Sequence, residues 1–451
     1  MKKSLLLKIF LTGLVLPISS PFGETLSEAL VKTYLDNPTL NASRALLRVE
    51  NEGVAEALSG WRPEVILDYD LGLSNIDKHD GSGSQSRTPR TNKISIEQNL
   101  FKGWRTKGKV IQAQEEVLVQ RARLTIVEQN VILAAATAYT DVIRDKAVLR
   151  LNQNNERVLR RQLEATKDRF EVGEVTRTDV AQAESRLSRA IADRIQAIGD
   201  LKSSHARYKN VVGNYPKELQ KALPLSKLPA NETESVAIAR VFNPNVLVAK
   251  HDLKSAKAKI KIVEGELYPT IDIEGELSRR DQATSKTSKK DQISLTARLS
   301  LPLYQGGGTR ARIRAAKQSL SQKAIVLNGA IHTAIANASQ SWERLSTARA
   351  QLRAFDSEVR AAEIALQGVR QEAGVGSRTV LDVLDAEQEL LDARVRLVRA
   401  ERDVIVATFM VRQAVGSLTA EKLSLPVKLY NVNKHYDSVA KHWFLEHIKQ
   451  K

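Results

Sequence analysis

Three small groups of residues in this chain of 451 have the types and spacing to do chemistry. Asp382 and Asp385 stand three apart in a stretch that reads as helix, so both carboxylates fall on one helix face. Such a pair favours the positive end of its own helix dipole or, where several copies converge, draws cations. His435, His442 and His447 lie in a basic C-terminal tail. Imidazoles ligate metals, but their spacing fits no known site, and a solvated tail explains them. Gly306-Gly307-Gly308 has the look of a phosphate loop, yet no Lys-Ser/Thr follows, and a strand end meeting a helix accounts for it. No nucleophile–base pairing is recognisable. The chain has no cysteine, which rules out a disulfide framework, a thiolate metal site and a diacylated lipoprotein anchor. The expectation is a protein that is not an enzyme and carries no cofactor or metal.

The acidic pair belongs to a long helical stretch. Residues 90–215 contain no proline, and neither do residues 303–425. Proline inside a helix costs about 3 kcal/mol, so each half has room for very long helices. In the second, Ile331, Ile335, Ala338, Trp342, Leu345 and Leu352, then Phe355, Val359, Ala362, Leu366 and Val369, step by four and three as a coiled-coil seam does. In the first, Val127, Val131, Ala134, Ala138 and Val142 keep a similar rhythm. A helix from Gly108 to Gly173 would be on the order of 100 Å long at about 1.5 Å per residue, which suits a tube or rod. Each run is interrupted once, at Val172-Gly173-Glu174-Val175-Thr176 and at Ala373-Gly374-Val375-Gly376-Ser377. Glycine closes one helix, and Thr176 or Ser377 can cap the next. These are the tips of two helical hairpins.

The two hairpins are copies. Asn37-Pro38 recurs as Asn243-Pro244 and Trp61-Arg62-Pro63 as Leu267-Tyr268-Pro269, both shifted by 206. Leu100-Phe101-Lys102-Gly103 returns as Leu303-Tyr304-Gln305-Gly306, and Asp179-Val180 as Asp382-Val383, both shifted by 203. One indel in a polar loop is what a diverged tandem duplication leaves. Residues 24–225 form the first repeat, with a β-hairpin over 64–100 and a tip near 173–178. Residues 226–425 form the second, with a β-hairpin over 270–303 and a tip near 374–379. Residues 426–451 are a basic tail.

The strand-like segments alternate. In Glu64–Ser74, Val65, Leu67, Tyr69, Leu71 and Leu73 oppose Ile66, Asp68, Asp70, Gly72 and Ser74. Ile94, Ile96 and Leu100 oppose Ser95, Glu97 and Asn99, and the same rhythm runs through Thr270–Ser278 and Gln292–Leu303. Period two over roughly ten residues suits a lipid-facing barrel strand, although a soluble sandwich alternates too. Four strands are fewer than the smallest barrels of about eight, and open edges are untenable in lipid, so several chains must share one barrel. Three would supply twelve strands. The polar stretches Asn75–Thr91 and Arg280–Asp291 are expected as outward loops.

Residues 1–23, with Lys2 and Lys3 before a short apolar run, read as an export signal, and no later stretch is long and apolar enough for a helical anchor. The net charge of +17 invites nucleic acid as a partner. The cations alternate with acids along helices, as in Arg394, Arg396, Arg399, Glu401, Arg402 and Asp403, which is the pattern of a solvated face. Export and strand alternation oppose a cytosolic nucleic-acid binder. Anionic lipid or lipopolysaccharide is the better anionic neighbour.

With these features in place, the sequence resembles the TolC family of outer-membrane efflux and type I secretion ducts. The resemblance rests on Leu100-Phe101-Lys102-Gly103-Trp104 and Leu301-Pro302-Leu303-Tyr304-Gln305-Gly306-Gly307 at the barrel–helix junctions. It rests too on Gly376-Ser377-Arg378-Thr379-Val380-Leu381-Asp382-Val383-Leu384-Asp385-Ala386, with Arg169–Gly173 and Thr178-Asp179-Val180 as the first-repeat partner. It implies an α+β homotrimer with a 12-stranded transmembrane β-barrel and a 12-helix coiled-coil tube in the periplasm. It also implies passive export, a periplasmic adaptor protein and an inner-membrane ABC or proton-driven pump. By resemblance, Asp382 and Asp385 would ring a periplasmic aperture, where six carboxylates should repel one another and raise some of their pKa values. Arg378, Thr178 and Asp179 would belong to the contacts that hold the tips shut. The tip here is shorter than the family's and carries Val375. The alternative, a periplasmic adaptor, should carry one hairpin flanked by small β-domains, whereas two duplicated hairpins are present.

Overall fold

The computed structural model describes residues 23–78 and 83–439. The export signal, His442 and His447 therefore lie outside the described residues, Gly23 excepted. The element order repeats itself. Helix α1 (Leu26–Asp36) and α2 (Pro38–Ser59) precede strands β1 (Glu64–Leu71), β2 (Ser74–Lys78), β3 (Gly83–Arg87) and β4 (Arg90–Lys102). Helices α3 (Arg105–Glu171) and α4 (Arg177–Val212) follow. The second round is α5 (Glu232–Phe242), α6 (Pro244–Glu264), β5 (Thr270–Asp281), β6 (Lys289–Ser300), α7 (Gly308–Gly374) and α8 (Val380–Ala414). A short α9 (Val432–Val439) ends it. Helices α3 and α7 are each 67 residues long, and α4 and α8 are 36 and 35.

The duplication is built into the bonds. Asn37 and Asn243 cap α2 and α6 with nearly the same backbone angles. Their side-chain amides donate to the carbonyls of Val211 at 3.0 Å and Ala414 at 2.9 Å, tying each short helix to the end of its own long hairpin. Four strands form one antiparallel sheet in the order β1-β4-β5-β6. Within the first hairpin Val65 pairs Ile96, and within the second Ile271 pairs Leu299. Shifted by 206 and 203, these are the same register. The apolar side is bare: Leu67 is 71 % exposed and Ile293 85 %. The opposite side carries Lys93–Glu276 and Arg298–Glu274 pairs at 3.7 and 3.8 Å.

Some sequence expectations need correction. The stretch 75–91, expected as a loop, holds a second ribbon, β2 with β3, and the start of β4 at Arg90. The expected loop 280–291 is strand at both ends, where β5 runs to Asp281 and β6 starts at Lys289. Pro89 has no N–H to donate, so the ladder is interrupted there while its carbonyl accepts from Gly72 N–H at 2.9 Å. Ribbon pairing resumes beyond through backbone bonds that need no apolar face. In the first seam Ala134 is exposed, and Ile132, Ala135 and Tyr139 are buried instead. There α3 packs on α1, α2, α4 and α8, so the buried sector is wider than a two-helix seam. The second seam is buried or half-buried throughout.

Where the hairpins meet the connecting segments, Tyr139 and Tyr208 are wholly buried. The Tyr139 hydroxyl is shared between the carbonyls of Glu24 and Gln220 at 2.7 and 2.8 Å, and that of Tyr208 donates to the Glu24 carboxylate at 2.8 Å. Burial pushes both hydroxyls above the ordinary tyrosine range.

Candidate functional site: hairpin tips and barrel–helix junctions

The two tips are made by the same local chemistry. Gly173 and Gly376 take φ values of 81° and 82°, a conformation that a side chain resists. Thr176 then caps α4 and Thr379 caps α8, each in a reciprocal box with the acid three residues on. Asp382 N–H donates to the Thr379 hydroxyl at 3.2 Å, and the Asp382 carboxylate accepts from Thr379 N–H at 2.8 Å and from its hydroxyl at 2.7 Å. Asp179 and Thr176 repeat the arrangement. Ser377 does not cap the helix. Its hydroxyl turns back to the Glu372 carbonyl at 2.9 Å and closes the preceding helix instead.

Asp382 is thus a capping residue within its own chain. Bonds from Thr379, with Arg378 adding attraction, hold its carboxyl below the usual range, and Thr176 does the same for Asp179. The direction within one chain is opposite to that expected of a crowded ring, because hydrogen bonds to the charged form act first. Asp385 lies one turn further along and bonds Arg186 of α4. Arg378 pairs with Glu372 of its own tip at 2.8 Å and meets neither Thr178 nor Asp179 within the chain. Thr178 is exposed. Sequence reading missed Arg186, since nothing in a 199-residue separation points to Asp385. It also missed the apolar contact beneath that pair, where Val380 and Leu384 are buried with Leu159, Leu163, Ala183 and Ala190 of the first hairpin.

The junction residues sit where sheet becomes helix. Leu100 and Phe101 lie at the end of β4, and Pro302 and Tyr304 follow β6. Gly103 and Trp104 both have positive φ (57° and 63°), as do Gly306 and Gly307 (58° and 80°). Two left-handed residues in succession turn each strand into its helix. Trp104 does so at a cost of about 1–2 kcal/mol relative to glycine, and its ring meets that of Phe101 edge-on at 5.5 Å. A side chain at Gly103 would stand 2.2 Å from the Gly265 carbonyl oxygen, whereas Gly306 has nothing within 4 Å in the chain. Tyr304 and Leu303 are almost fully exposed. Among the described residues no helix is long and apolar enough to cross a membrane, and no cluster of potential metal ligands occurs.

The sequence matches the family described as Outer membrane efflux protein over residues 29–214 and 236–417, one match per repeat. It is 37% identical to the outer membrane efflux protein BepC of Brucella suis across 97% of this chain and 95% of that protein. It is 26% identical to the outer membrane protein TolC of Escherichia coli across 89% and 84%. The Campylobacter jejuni CmeC outer membrane channel shares the fold, with a TM-score of 0.79 at 12% identity over 92% of this chain and 89% of that one. Duplicated hairpins, a lipid-type sheet and these relatives agree: the chain belongs to the outer membrane efflux protein family and is an outer-membrane export channel whose helical part lies in the periplasm.

Proposed function

We propose that three copies of the chain close into a 12-stranded barrel and a 12-helix tube, and that this duct passes substrates without transforming them. An adaptor bound to the helices and an inner-membrane pump would supply the drive. The observation that carries this reading is the duplicated register. Ile96 of β4 pairs Gly275 of β5 inside the chain. Shifting the first by 203 and the second by 206 puts Leu299 of β6 opposite Tyr69 of β1 in the partner subunit. The free edges of β1 and β6 then repeat the join already made at the sheet's centre, and no edge is left in lipid.

Closure would also bring the tips together around one axis. Asp382 and Asp385 would form the acidic ring, and Arg378, which meets neither Thr178 nor Asp179 within a chain, would be available to meet them between chains. The absence of native cysteine makes the test clean. A Leu299→Cys/Tyr69→Cys chain should oxidise to a covalent trimer in membranes. Leu299→Cys with Val65→Cys, four residues out of register, should not. Monomers from both, or equal cross-linking, would refute the shared barrel.

A further inference from the structure

Between the first turns of α3 and the last of α6 lies a groove of about 330 Å³. Gly103, Trp104, Lys107, Lys261, Glu264 and Tyr268 line it. The groove adjoins the apolar face of the sheet. Phe101, carried across by the bulge after Asn99, pairs Ile271 on the apolar face, and the Trp104 ring rests against Phe101. Trp104 and Tyr268 are both more than half exposed. Lys107 Nζ stands 5.9 Å from the Trp104 ring centre. Lys107 and Lys261 are exposed and form no ion pair among the described residues, while Glu264 is engaged by Lys317 at 3.9 Å. Assembly would not cover the groove, because α3 is already flanked by α2 and α6, and α6 by α3 and α7.

Two unneutralised lysines and two interfacial aromatics at the level where sheet gives way to helix call for a negatively charged head group with an ester region above it. We propose that this groove binds an anionic glycerophospholipid of the periplasmic leaflet, its phosphate between Lys107 and Lys261 and its glycerol region against Trp104 and Tyr268. There is one such site per chain. The equivalent junction, between the start of α7 and the end of α2, has Gly307 for Trp104, Arg310 for Lys107, Ala55 for Lys261 and Arg62 for Tyr268, so it keeps cations but lacks both aromatics. The inference rests on the barrel reading only in needing this junction at the membrane surface.

The test uses the full chain in phosphatidylcholine nanodiscs with a minor fraction of phosphatidylglycerol. Trp61, Trp342 and Trp443 are replaced by Phe, so that Trp104 alone reports. Brominated phosphatidylglycerol should quench Trp104 several-fold more than an equal fraction of brominated phosphatidylcholine. Lys107→Gln/Lys261→Gln should bring that preference to about one, each lysine near an anionic surface contributing about five-fold to affinity. Equal quenching by the two lipids in the lysine-bearing chain overturns the site and leaves the barrel standing. No quenching by either lipid removes the junction from the membrane and the barrel reading with it. A preference abolished by inorganic phosphate at constant ionic strength overturns the lipid in favour of a free-phosphate site. If the single-tryptophan chain does not assemble, native mass spectrometry of the unaltered protein decides. One retained phosphatidylglycerol per chain, lost in Lys107→Gln/Lys261→Gln, supports the site, and equal retention overturns it.

Discussion

Arg186 on α4 bonds the carboxylate of Asp385 on α8, joining the two hairpins of one chain at their tips. The pair lies over the small apolar contact of Val380 and Leu384 with the first hairpin. Together they make the two hairpins of a chain one unit at the end that would open in the proposed duct. Asp385→Asn or Arg186→Ala should therefore favour the open tip. Partly exposed pairs of this kind are worth about 0.2–1 kcal/mol, so the open-to-closed ratio in planar bilayers should rise by about 1.4- to five-fold. An unchanged ratio would show that the pair does not restrain the tips.

The Asp382 carboxyl has a different partner, the Thr379 cap. Its pKa is depressed in the folded chain, so its contribution to the tip is present above the unfolded value of about 3.9 and is lost as pH falls through the depressed folded value. Block of the channel by divalent cations should persist through the ordinary carboxylate range and fail only below it. It should fail at a higher pH in Thr379→Val, which removes the hydroxyl bond. Block should be weakest in the double Asp382→Ala/Asp385→Ala chain. Titration of block in single-channel recordings reads all three.

Two glycines cross at the first junction, and their backbones leave no room for a methyl group. A Cβ at Gly103 would meet the Gly265 oxygen at 2.2 Å, and one at Gly265 would meet the Gly103 oxygen at 2.4 Å. Either alanine should cost roughly 3 kcal/mol or more and show as lost heat-resistant protein. Gly329→Ala, inside α7 with nothing within 4 Å, should stabilise by about 0.5–1 kcal/mol.

Asn37→Ala and Asn243→Ala each remove a helix cap and a buried bond to the opposite end of the repeat. Each should lower unfolding stability by about 2 kcal/mol. The two losses should be alike, because the two sites are the same site duplicated.

Much of this was legible in the sequence because local rules suffice for it. Proline-free runs bound α3 and α7, glycine and threonine mark the tips, alternation gives β1, β5 and β6, and matched motifs give the repeat. The partners across the chain were not legible. Whether Asp385 finds Arg186, or Arg378 turns to Glu372 rather than to Asp179, depends on how two coiled hairpins lie side by side, and no local pattern records that. The β2–β3 ribbon was hidden for another reason: Ser, Asn, Asp and Gly form loops as readily as strands, and only pairing decides. Ser377 lost its expected capping role to Thr379 two residues on, since either hydroxyl could serve and the backbone chose.

The matched lengths of α3 and α7, 67 residues each, restrict how this gene can change. Inserting one heptad into α3 alone would carry its tip about 10 Å past its neighbour's, separating Arg186 from Asp385 while the outer sheet stayed intact. Growth or shrinkage of such a protein must be matched in both halves, and in all four strands of the coil. The reach of the duct across its compartment is therefore altered in paired, whole-heptad steps or not at all.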